Sequence, residues 1–386
     1  MNECLKIWRA VLGCAAVFLL ASQFAAASGE IRSICPAAGV AQAGAGFGPG
    51  GIILTAFDGT ALWVYNVDNG RRYPLPDTRP CGRSCRLSPD FRWLSYFNNS
   101  TNAFNRMRLD GTQRRLIIEY AADIEWWSDD TFLIWTPGHQ AYILTDGSAE
   151  RQYLDVSGVI SVQPNGRWGL LVEQYEDHFL RALINLELRG MTGISNGRTE
   201  LGEDRAYFNA QAWSPNGEYL AYVAPLFSSD GMIRGSEIFG IAPGSAPEQW
   251  TQLSQVYGPT RVNGLAVGEL SWSPDSTRIA FWVIPLLNGD PEGMTGEAML
   301  HILDRTDGSV QHYCAFTTNE HTPNPPRLVW SPDGTHLAFS GNIPNDDQGY
   351  LLLALNVETG QLSALSSGVF PALGAPNVIA WGMLPG

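Results

Sequence analysis

Acidic side chains in three long segments of the C-terminal half are the residues best suited to binding a charged partner. The segments are 225–236, 285–297 and 341–349. They carry the six acidic residues that we single out as candidate partner-binding residues: Asp230, Asp290, Glu292, Glu297, Asp346 and Asp347. Carboxylates grouped on one surface attract a cation, a basic peptide or a polycationic partner. The alternative is that solvated loops of an acidic protein simply contain acidic residues.

Patterns for catalysis or metal binding are weak. The G-x-S-x-G pattern at 193–197 lies in a polar, glycine-rich stretch, whereas a nucleophile elbow joins a buried strand to a helix. His301 and His312 lie in adjacent predicted strands and can face each other, but the sequence has no H-E-x-x-H motif. Residues 345–349 lack the regular alternation of oxygen ligands found in an EF-hand. We therefore predict no catalytic residue, no metal site and no cofactor.

The charge balance excludes several classes of function. The formal net charge is −14, so a basic surface is not expected and no nucleic-acid partner is predicted. The only lysine is Lys6, which excludes a lysine Schiff base and the P-loop lysine from the rest of the chain. The composition, with 16% charged residues, 41 glycines and 24 prolines, favours many strands joined by tight turns.

The first 27 residues have the pattern of a secretory signal peptide. Lys6 and Arg9 precede an apolar run at 10–21 that is too short to span a bilayer comfortably, and the alanines at 25–27 supply a cleavage site. We expect residues 1–27 to be removed and residues 28–48 to form a linker. The mature protein is then periplasmic, secreted or at the cell surface, without a stable membrane span. Retention of the leader as an anchor is the alternative.

Four cysteines remain after such a cleavage, and an exported protein can pair them. They are Cys35, Cys81, Cys85 and Cys314. Three pairings are possible. We favour Cys81–Cys85 together with Cys35–Cys314, because the first pair is local and the other two cysteines are then the remaining partners.

A short repeat organises the chain. Its pattern is an aromatic or apolar residue, then Ser-Pro-Asp-Gly or a close variant, then two residues, then Leu or Ile followed by Ala and an aromatic residue. Three clear and three weaker copies begin at Trp213, Trp272, Trp330, Leu87, Trp127 and Val162. Ser, Pro and Gly in these positions favour a type I turn. Because apolar residues alternate on both sides of the turn, each copy is predicted to be a β-hairpin.

A second strand–turn–strand pattern follows each copy, so that two hairpins make one four-stranded blade. Residues 51–75 supply three strands and residues 377–382 supply a first strand, which together predict a seventh blade that closes the ring. Alternatively, residues 47–51 form that first strand and the C-terminal segment is surplus. The prediction is an all-β, seven-bladed β-propeller over residues 49–386, with six or eight blades as the alternatives.

The W-S-P-D-G-x-x-[LI]-A-[FY] repeat resembles that of TolB-type propellers, also called the WD40-like or PD40 repeat. The resemblance covers residues 51–382. It implies the propeller fold, which occurs in periplasmic scaffolds, in the gating propellers of serine peptidases and in some lyases. The repeat residues are structural, and none is transferred as a functional residue. A peptidase of this kind would need about 200 further residues for an α/β-hydrolase domain.

These patterns lead to a prediction of function. We expect an exported, non-catalytic binding or scaffold propeller that recognises a protein or another ligand through the loops of one face. The first alternative is an enzyme, a lyase or a hydrolase, with its site in the central channel. The second is a structural component of an envelope assembly. The sequence does not identify the partner.

Overall fold

The structure is a computed structural model. It describes residues 31–36, 39–43, 47–56, 61–78, 85–98, 100–138, 140–154, 158–176, 178–186, 197–264, 269–289, 293–318, 325–343, 349–367 and 378–383. The predicted signal peptide, residues 1–27, lies outside these ranges, as does the serine of the G-x-S-x-G pattern. In the described part of the chain, no helix is long and apolar enough to cross a membrane.

The strands follow one another in groups of four, after two short strands at the start. The first two are β1 (Ile31–Ile34) and β2 (Ala41–Gln42). The next three complete one blade with the last strand of the chain: β3 (Ile52–Ala56), β4 (Leu62–Asn66) and β5 (Arg72–Leu75). The second blade comprises β6 (Arg86–Leu87), β7 (Trp93–Asn98), β8 (Ala103–Arg108) and β9 (Arg115–Glu119). The third comprises β10 (Asp123–Trp126), β11 (Thr131–Trp135), β12 (Ala141–Thr145) and β13 (Arg151–Tyr153).

The remaining blades have longer strands. The fourth comprises β14 (Val159–Val162), β15 (Trp168–Gln174), β16 (Phe179–Asn185) and β17 (Arg198–Asp204). The fifth comprises β18 (Gln211–Trp213), β19 (Leu220–Phe227), β20 (Ile233–Ile241) and β21 (Glu248–Gln249). A helix, α1 (Leu253–Tyr257), and β22 (Thr260–Val262) precede the sixth, which comprises β23 (Ser271–Trp272), β24 (Arg278–Pro285), β25 (Ala298–Asp304) and β26 (Val310–Thr318). The seventh comprises β27 (Val329–Trp330), β28 (His336–Asn342), β29 (Tyr350–Asn356) and β30 (Leu362–Ser367), and β31 (Val378–Gly382) ends the series.

The seven sheets form the predicted seven-bladed propeller. The C-terminal strand β31 pairs antiparallel with β3, with Ile52 opposite Gly382 and Leu54 opposite Ala380. The C-terminal segment is therefore the first strand of the first blade, which confirms the predicted closure. The first strands of successive blades contact one another, in the order β31, β6, β10, β14 and β18, β23, β27, β31. They therefore surround the central channel.

The repeat forms the turn between the first and second strands of the second to seventh blades. In the seventh blade, the Ser331 hydroxyl donates to Asp333 Oδ1 (2.6 Å) and accepts from the His336 amide (2.9 Å). Gly334 adopts a φ of 69°, in the left-handed region that glycine tolerates best. The third-blade copy is shorter, and there Trp126 rather than Trp127 takes the position of Trp330, because Trp126 pairs with Phe132 as Trp330 pairs with Leu337.

Hydrogen bonds join these turns from blade to blade. The bonds from the first blade round to the seventh are Met383 N to Phe91 O (3.3 Å), Asp90 N to Asp129 Oδ1 (3.2 Å), Asn165 N to Trp127 O (2.8 Å), Gln163 Nε2 to Gly217 O (2.8 Å), Asn216 N to Ser276 Oγ (3.1 Å) and Arg278 Nη2 to Gly334 O (2.8 Å). The tryptophans add a second link between neighbours. Trp330 Nε1 donates to Ser271 O of the sixth blade (2.8 Å), and Trp272 Nε1 donates to Ala212 O of the fifth (3.1 Å).

The N-terminal residues 31–42 extend two blades, although the sequence pattern predicts a linker there. β1 pairs in parallel with β26, and β2 pairs in parallel with β30. The outer edge of a blade has unpaired backbone groups, and an extended segment beside it satisfies them. A disulfide between Cys35 and Cys314, as predicted, fastens this segment to the sixth blade. Cys85 is also disulfide-bonded, but Cys81, its predicted partner, lies outside the described residues.

The propeller has two distinct faces because the strands of each blade are antiparallel. The Ser-Pro-Asp turns and the connections between third and fourth strands open on one face, which we call the turn face. The connections between second and third strands, and those from one blade to the next, open on the other, which we call the loop face. Segments 228–232, 286–297 and 343–349 belong to the loop face.

Candidate functional site

The structure describes two of the six predicted acidic residues, Asp230 and Glu297, and both are exposed on the loop face. Asp230 accepts hydrogen bonds from the Ser228 hydroxyl and from the Met232 amide (3.2 Å), and it lies 3.6 Å from the Arg234 guanidinium. Glu297 accepts a hydrogen bond from the Thr317 hydroxyl (2.7 Å). The other four predicted residues, Asp290, Glu292, Asp346 and Asp347, lie outside the described ranges.

Exposed apolar side chains flank these acids on the loop face. Met232 in the fifth blade is 63% exposed and Met294 in the sixth is 66% exposed. Phe227 and Leu287, in the same two connections, are also exposed, whereas Leu286 is buried. The two connections are linked through the segment before β22, because the Leu286 amide donates to Pro259 O (2.8 Å). Apolar groups grouped on an outer surface are typical of a site that binds a partner.

The central channel contains a cluster of charged residues. Arg86 Nη1 lies 3.1 Å from Glu269 Oε1, and Arg327 Nη2 lies 2.7 Å from Glu269 Oε2. Arg86 Nη2 is also 3.9 Å from Asp123 Oδ2. Arg86 belongs to the second blade and Glu269 to the start of the sixth. Because these blades are not neighbours in the ring, their ion pair crosses the channel.

The first strands position this cluster through the twofold alternation of a β-strand. In the third, sixth and seventh blades the residue two before the tryptophan position is buried between blades, as for Ile124, Leu270 and Leu328. The charged residues one or three before it in the second, third, sixth and seventh blades lie on the opposite side of the strand, where they form the ion pairs. The position three residues before the tryptophan is close to the loop face and is occupied by Asp123, Glu269 and Arg327. We call this set the upper ring.

A second set lies one residue before the tryptophan position, deeper in the channel. We call it the lower ring, and in order from the second blade its members are Arg86, Glu125, Ser161, Ala212, Ser271, Val329 and Ala380. Two of the seven side chains, Arg86 and Glu125, are charged, whereas Ala212, Val329 and Ala380 pack against the hydrophobic cores between blades.

Glu125 is the unusual member of the lower ring. Its Oε1 accepts a hydrogen bond from the Ser161 hydroxyl (3.1 Å). Its Oε2 is buried, and no donor among the described residues lies within hydrogen-bond distance of it. Burial raises the pKa of Glu125 to about 7, although the Arg86 guanidinium and the Ser161 hydrogen bond act to lower it. The carboxyl therefore changes charge near neutral pH.

Sequence reasoning missed these channel residues. Each is a single charged residue within an otherwise apolar or small stretch, and they are far apart in the chain. The available signal was their position relative to the repeat: Arg86 and Glu125 each stand immediately before the residue in the tryptophan position, where the other copies have a small or apolar residue. Comparing the copies at that position would have identified Arg86 but not Glu125, because the sequence pattern places Trp127 and not Trp126 in the tryptophan position.

The two histidines expected to face each other do so. His301 and His312 are directly opposite on β25 and β26, with stacked rings whose centroids are 5.0 Å apart. His301 is fully buried, and its Nε2 is 2.8 Å from the Tyr257 hydroxyl. Burial lowers the pKa of His301 to about 3 and also lowers that of His312. No group of three or more potential metal ligands occurs among the described residues.

Comparisons with known proteins agree with the fold. No family model matches the chain, and no curated protein matches it significantly. The putative TolB from Agrobacterium tumefaciens is 16% identical, with a TM-score of 0.41, over 74% of this chain and 94% of that one. TolB from Acinetobacter baumannii is 14% identical, with a TM-score of 0.34, over 73% of this chain and 67% of that one.

A puromycin hydrolase is also similar, at 12% identity and a TM-score of 0.46. The match covers 82% of this chain but 51% of that protein, so the chain spans about half its length. All three likenesses concern the fold, which the strand pairing establishes independently.

Proposed function

We propose that this chain is an exported, non-catalytic binding propeller that recognises a partner protein through its loop face. The observation that carries the proposal is the exposure of Met232, Met294, Phe227 and Leu287 at the loop face of two adjacent blades. Methionine side chains adapt their shape to a partner and lose little by being covered. The disulfide between Cys35 and Cys314 supports export, because such bonds persist in oxidising compartments.

The acidic residues of the same loops favour a partner with basic groups. Asp230 and Glu297 are exposed there, and Asp290 and Glu292 belong to the same sixth-blade connection in the sequence. Asp346 and Asp347 belong to the corresponding connection of the seventh blade. The chain as a whole carries a formal charge of −14, which steers basic partners towards it. An apolar surface with an acidic rim thus suits a partner segment that is both apolar and basic.

Photo-crosslinking tests this proposal. A photoreactive phenylalanine analogue is placed at position 232 or 294, and the mature protein is irradiated in envelope extract and examined by mass spectrometry. Amine-reactive reagents are unsuitable because the only lysine is Lys6. Position 383 is the matched control, because Met383 is 52% exposed but follows β31 on the turn face. A protein captured from positions 232 and 294 and not from 383 supports the proposal, whereas equal capture from all three contradicts it.

A second candidate function is an enzyme whose site lies in the channel. The specific observation is the Glu125 carboxyl, because a pKa of about 7 suits a general acid or base at neutral pH. The reaction class would be lysis or hydrolysis of a sugar or an ester. Turnover of a panel of polysaccharides and esters tests it. Activity that disappears in Glu125→Gln and persists in Glu297→Gln would favour this candidate over the non-catalytic one.

A further inference from the structure

The methionines of this protein differ widely in their exposure to solvent. Met107 is fully buried between the first and second blades, and Met299 is partly buried. Met232 and Met294 are 63% and 66% exposed on the loop face, and Met383 is 52% exposed on the turn face. The reaction of a thioether with a dissolved oxidant requires contact between the two. The two loop-face methionines are therefore accessible to an oxidant, and they belong to the surface that we propose binds a partner.

Hydrogen bonds of the backbone hold both loop-face methionines in place. The Met232 carbonyl accepts from the Ser228 amide (2.8 Å) and from the Ser228 hydroxyl (2.9 Å). The Met294 carbonyl accepts from the Leu287 amide (3.0 Å). Because none of these bonds involves a thioether, a chemical change at the sulfur atoms alters the surface and leaves the loops in place. Oxidation of Met107, by contrast, would put a polar group into a core between blades.

A sulfoxide would change the chemistry of this apolar surface. Phe227 and Leu287, in the same two connections as the methionines, are also exposed, so half of the apolar side chains that carry the proposed function are oxidisable. Oxidation converts a flexible apolar side chain into a polar one. A partner that covers the sulfoxide oxygen with apolar atoms removes water from it without supplying a hydrogen bond, which costs free energy of binding. Oxidation should therefore oppose the binding of an apolar segment.

We propose that Met232 and Met294 form an oxidation-sensitive site, at which a peroxide converts both thioethers to sulfoxides and thereby weakens the binding of the partner protein. This inference rests on the proposed function, since it concerns the regulation of the same surface. With hydrogen peroxide, the sulfur lone pair attacks one peroxide oxygen, the O–O bond breaks and an S–O bond forms. The released hydroxide takes the proton from the sulfur-bound oxygen and leaves as water. Each sulfur is thus oxidised by two electrons, and one peroxide is reduced.

The rate of oxidation at each methionine tests whether the site reacts selectively. The mature protein is exposed to hydrogen peroxide for increasing times, and its peptides are examined by mass spectrometry. In the folded protein, Met232 and Met294 are expected to oxidise about tenfold faster than the buried Met107, or more. In urea all three should react at the same rate, because burial no longer protects Met107. Equal rates for the three methionines in the folded protein would overturn the inference.

Hydrophobic-interaction chromatography measures the change in the surface without the partner. Peroxide treatment is expected to make the wild-type protein elute earlier. The double variant Met232→Leu/Met294→Leu keeps the apolar surface but has no thioether there, so its elution should shift less. Met383→Leu, which changes an exposed methionine of the turn face, is the matched control and should shift nearly as much as the wild type. Met191 lies outside the described residues and is present in all three proteins. An equal shift in the double variant and the wild type would overturn the inference.

Capture of the partner tests the effect of oxidation on binding. A photoreactive phenylalanine analogue at position 227 lies on the same surface and leaves both methionines in place. Peroxide treatment is expected to reduce capture about tenfold in the wild-type background and to leave it unchanged in Met232→Leu/Met294→Leu. The two methionine sulfoxide reductases, one for each epimer, should then restore capture by the wild type. Circular dichroism before and after treatment checks that the protein stays folded.

These results distinguish a failure of the inference from a failure of the proposed function. If position 227 captures a protein equally well before and after complete oxidation of Met232 and Met294, the inference fails and the proposed function stands. If the untreated protein captures nothing from positions 227, 232 and 294, the proposed function fails, and the effect of oxidation on binding fails with it. If capture falls after treatment in the wild type and in the double variant alike, the oxidised group lies elsewhere and the inference is overturned.

Discussion

The two faces of the propeller are formed by the same seven blades, but they differ in the length of their connections and in the hydrogen bonds between them. On the turn face, Ser-Pro-Asp turns of nearly constant length are joined to their neighbours by hydrogen bonds such as Arg278 to Gly334 and Asn216 to Ser276. On the loop face, the connections between second and third strands range from 175–178 in the fourth blade to 286–297 in the sixth. The uniform face stabilises the ring, and the variable face is free to bind.

A comparison of two chemically similar turns shows the same difference. Asp333 on the turn face and Asp230 on the loop face each accept a hydrogen bond from the serine two residues earlier. Asp333 also accepts from Thr335, and its neighbour Gly334 is bonded to the next blade. Both carboxylates are exposed, but the partners of Asp230 given above lie in its own loop or at the start of β20. The same serine–aspartate turn therefore helps to join neighbouring blades on the turn face, whereas on the loop face it shapes only its own connection.

The largest expected effect comes from the tryptophans beneath the turn face. Trp330→Ala should lower the free energy of unfolding by about 3–5 kcal/mol, because it leaves a cavity between two blades and removes the bond to Ser271 O. Trp272→Ala should behave alike. Denaturant melts measure the change, with Met294→Ala on the loop face as the control. A loss below about 1 kcal/mol for Trp330→Ala would show that it is not a core residue.

The next effect is a pH dependence of stability. His301 has a pKa of about 3 when folded and an ordinary value of 6.5, so between these pH values the unfolded chain binds a proton that the folded chain does not. The contribution of His301 to the free energy of unfolding therefore decreases as the pH drops below 6.5. At pH 5 the decrease is about 2 kcal/mol. Glu125 has the opposite effect. Because its pKa is raised in the folded protein, its ionisation above pH 4.5 lowers the free energy of unfolding, and acidification restores that stability.

Urea melts of variants at pH 7.5 and pH 5 separate these two contributions. His301→Gln should lose less stability on acidification than the wild type, and Glu125→Gln should lose more. Met294→Leu, which changes an exposed side chain that does not titrate, is the control and should follow the wild type. Identical pH dependence of His301→Gln and the wild type would contradict the assignment of the effect to His301.

A smaller effect is expected from the matched aspartates. Asp333→Ala should lower the free energy of unfolding by about 1 kcal/mol, because it removes the hydrogen bonds that shape a partly buried turn. Asp230→Ala should leave the unfolding midpoint unchanged, because its bonds are exposed to solvent. Paired urea melts measure both. An equal loss in the two variants would remove the distinction between the faces.

The smallest effect on stability is expected from neutralising the acidic residues of the sixth- and seventh-blade connections on the loop face. The same change is expected to have a large effect on binding. Replacing Asp290, Glu292, Asp346 and Asp347 together with their amides should leave the fold intact, as judged by circular dichroism, and should weaken capture of the partner protein. Neutralising acids of the turn face, such as Asp129, is the control for net charge. Loss of folding in the fourfold variant would show that these loops are structural.

Much of the architecture could be predicted because the repeat is a local signal. Ser-Pro-Asp-Gly between alternating apolar residues specifies a hairpin whatever surrounds it. Six copies, with three strands left over before them and one after them, predict a closed seventh blade. The short third copy was placed one residue off, because the pairing of Trp126 with Phe132 depends on the geometry of the turn. The pairing of β1 with β26 was missed, since the outer edge of a blade gives no signal in the sequence of the segment that covers it.

The amino-acid sequence alone determined the hairpins and predicted seven blades, their closure and the cysteine pair Cys35–Cys314, because each follows from short patterns or from counting. The strand pairing and the disulfide decided between these predictions and their alternatives. Only the tertiary structure decided which charged residues meet. Arg86 and Glu269 are 183 residues apart, and their 3.1 Å contact exists because seven first strands surround one axis. The buried Glu125 carboxyl arises in the same way: its pKa depends on a channel that no single blade contains.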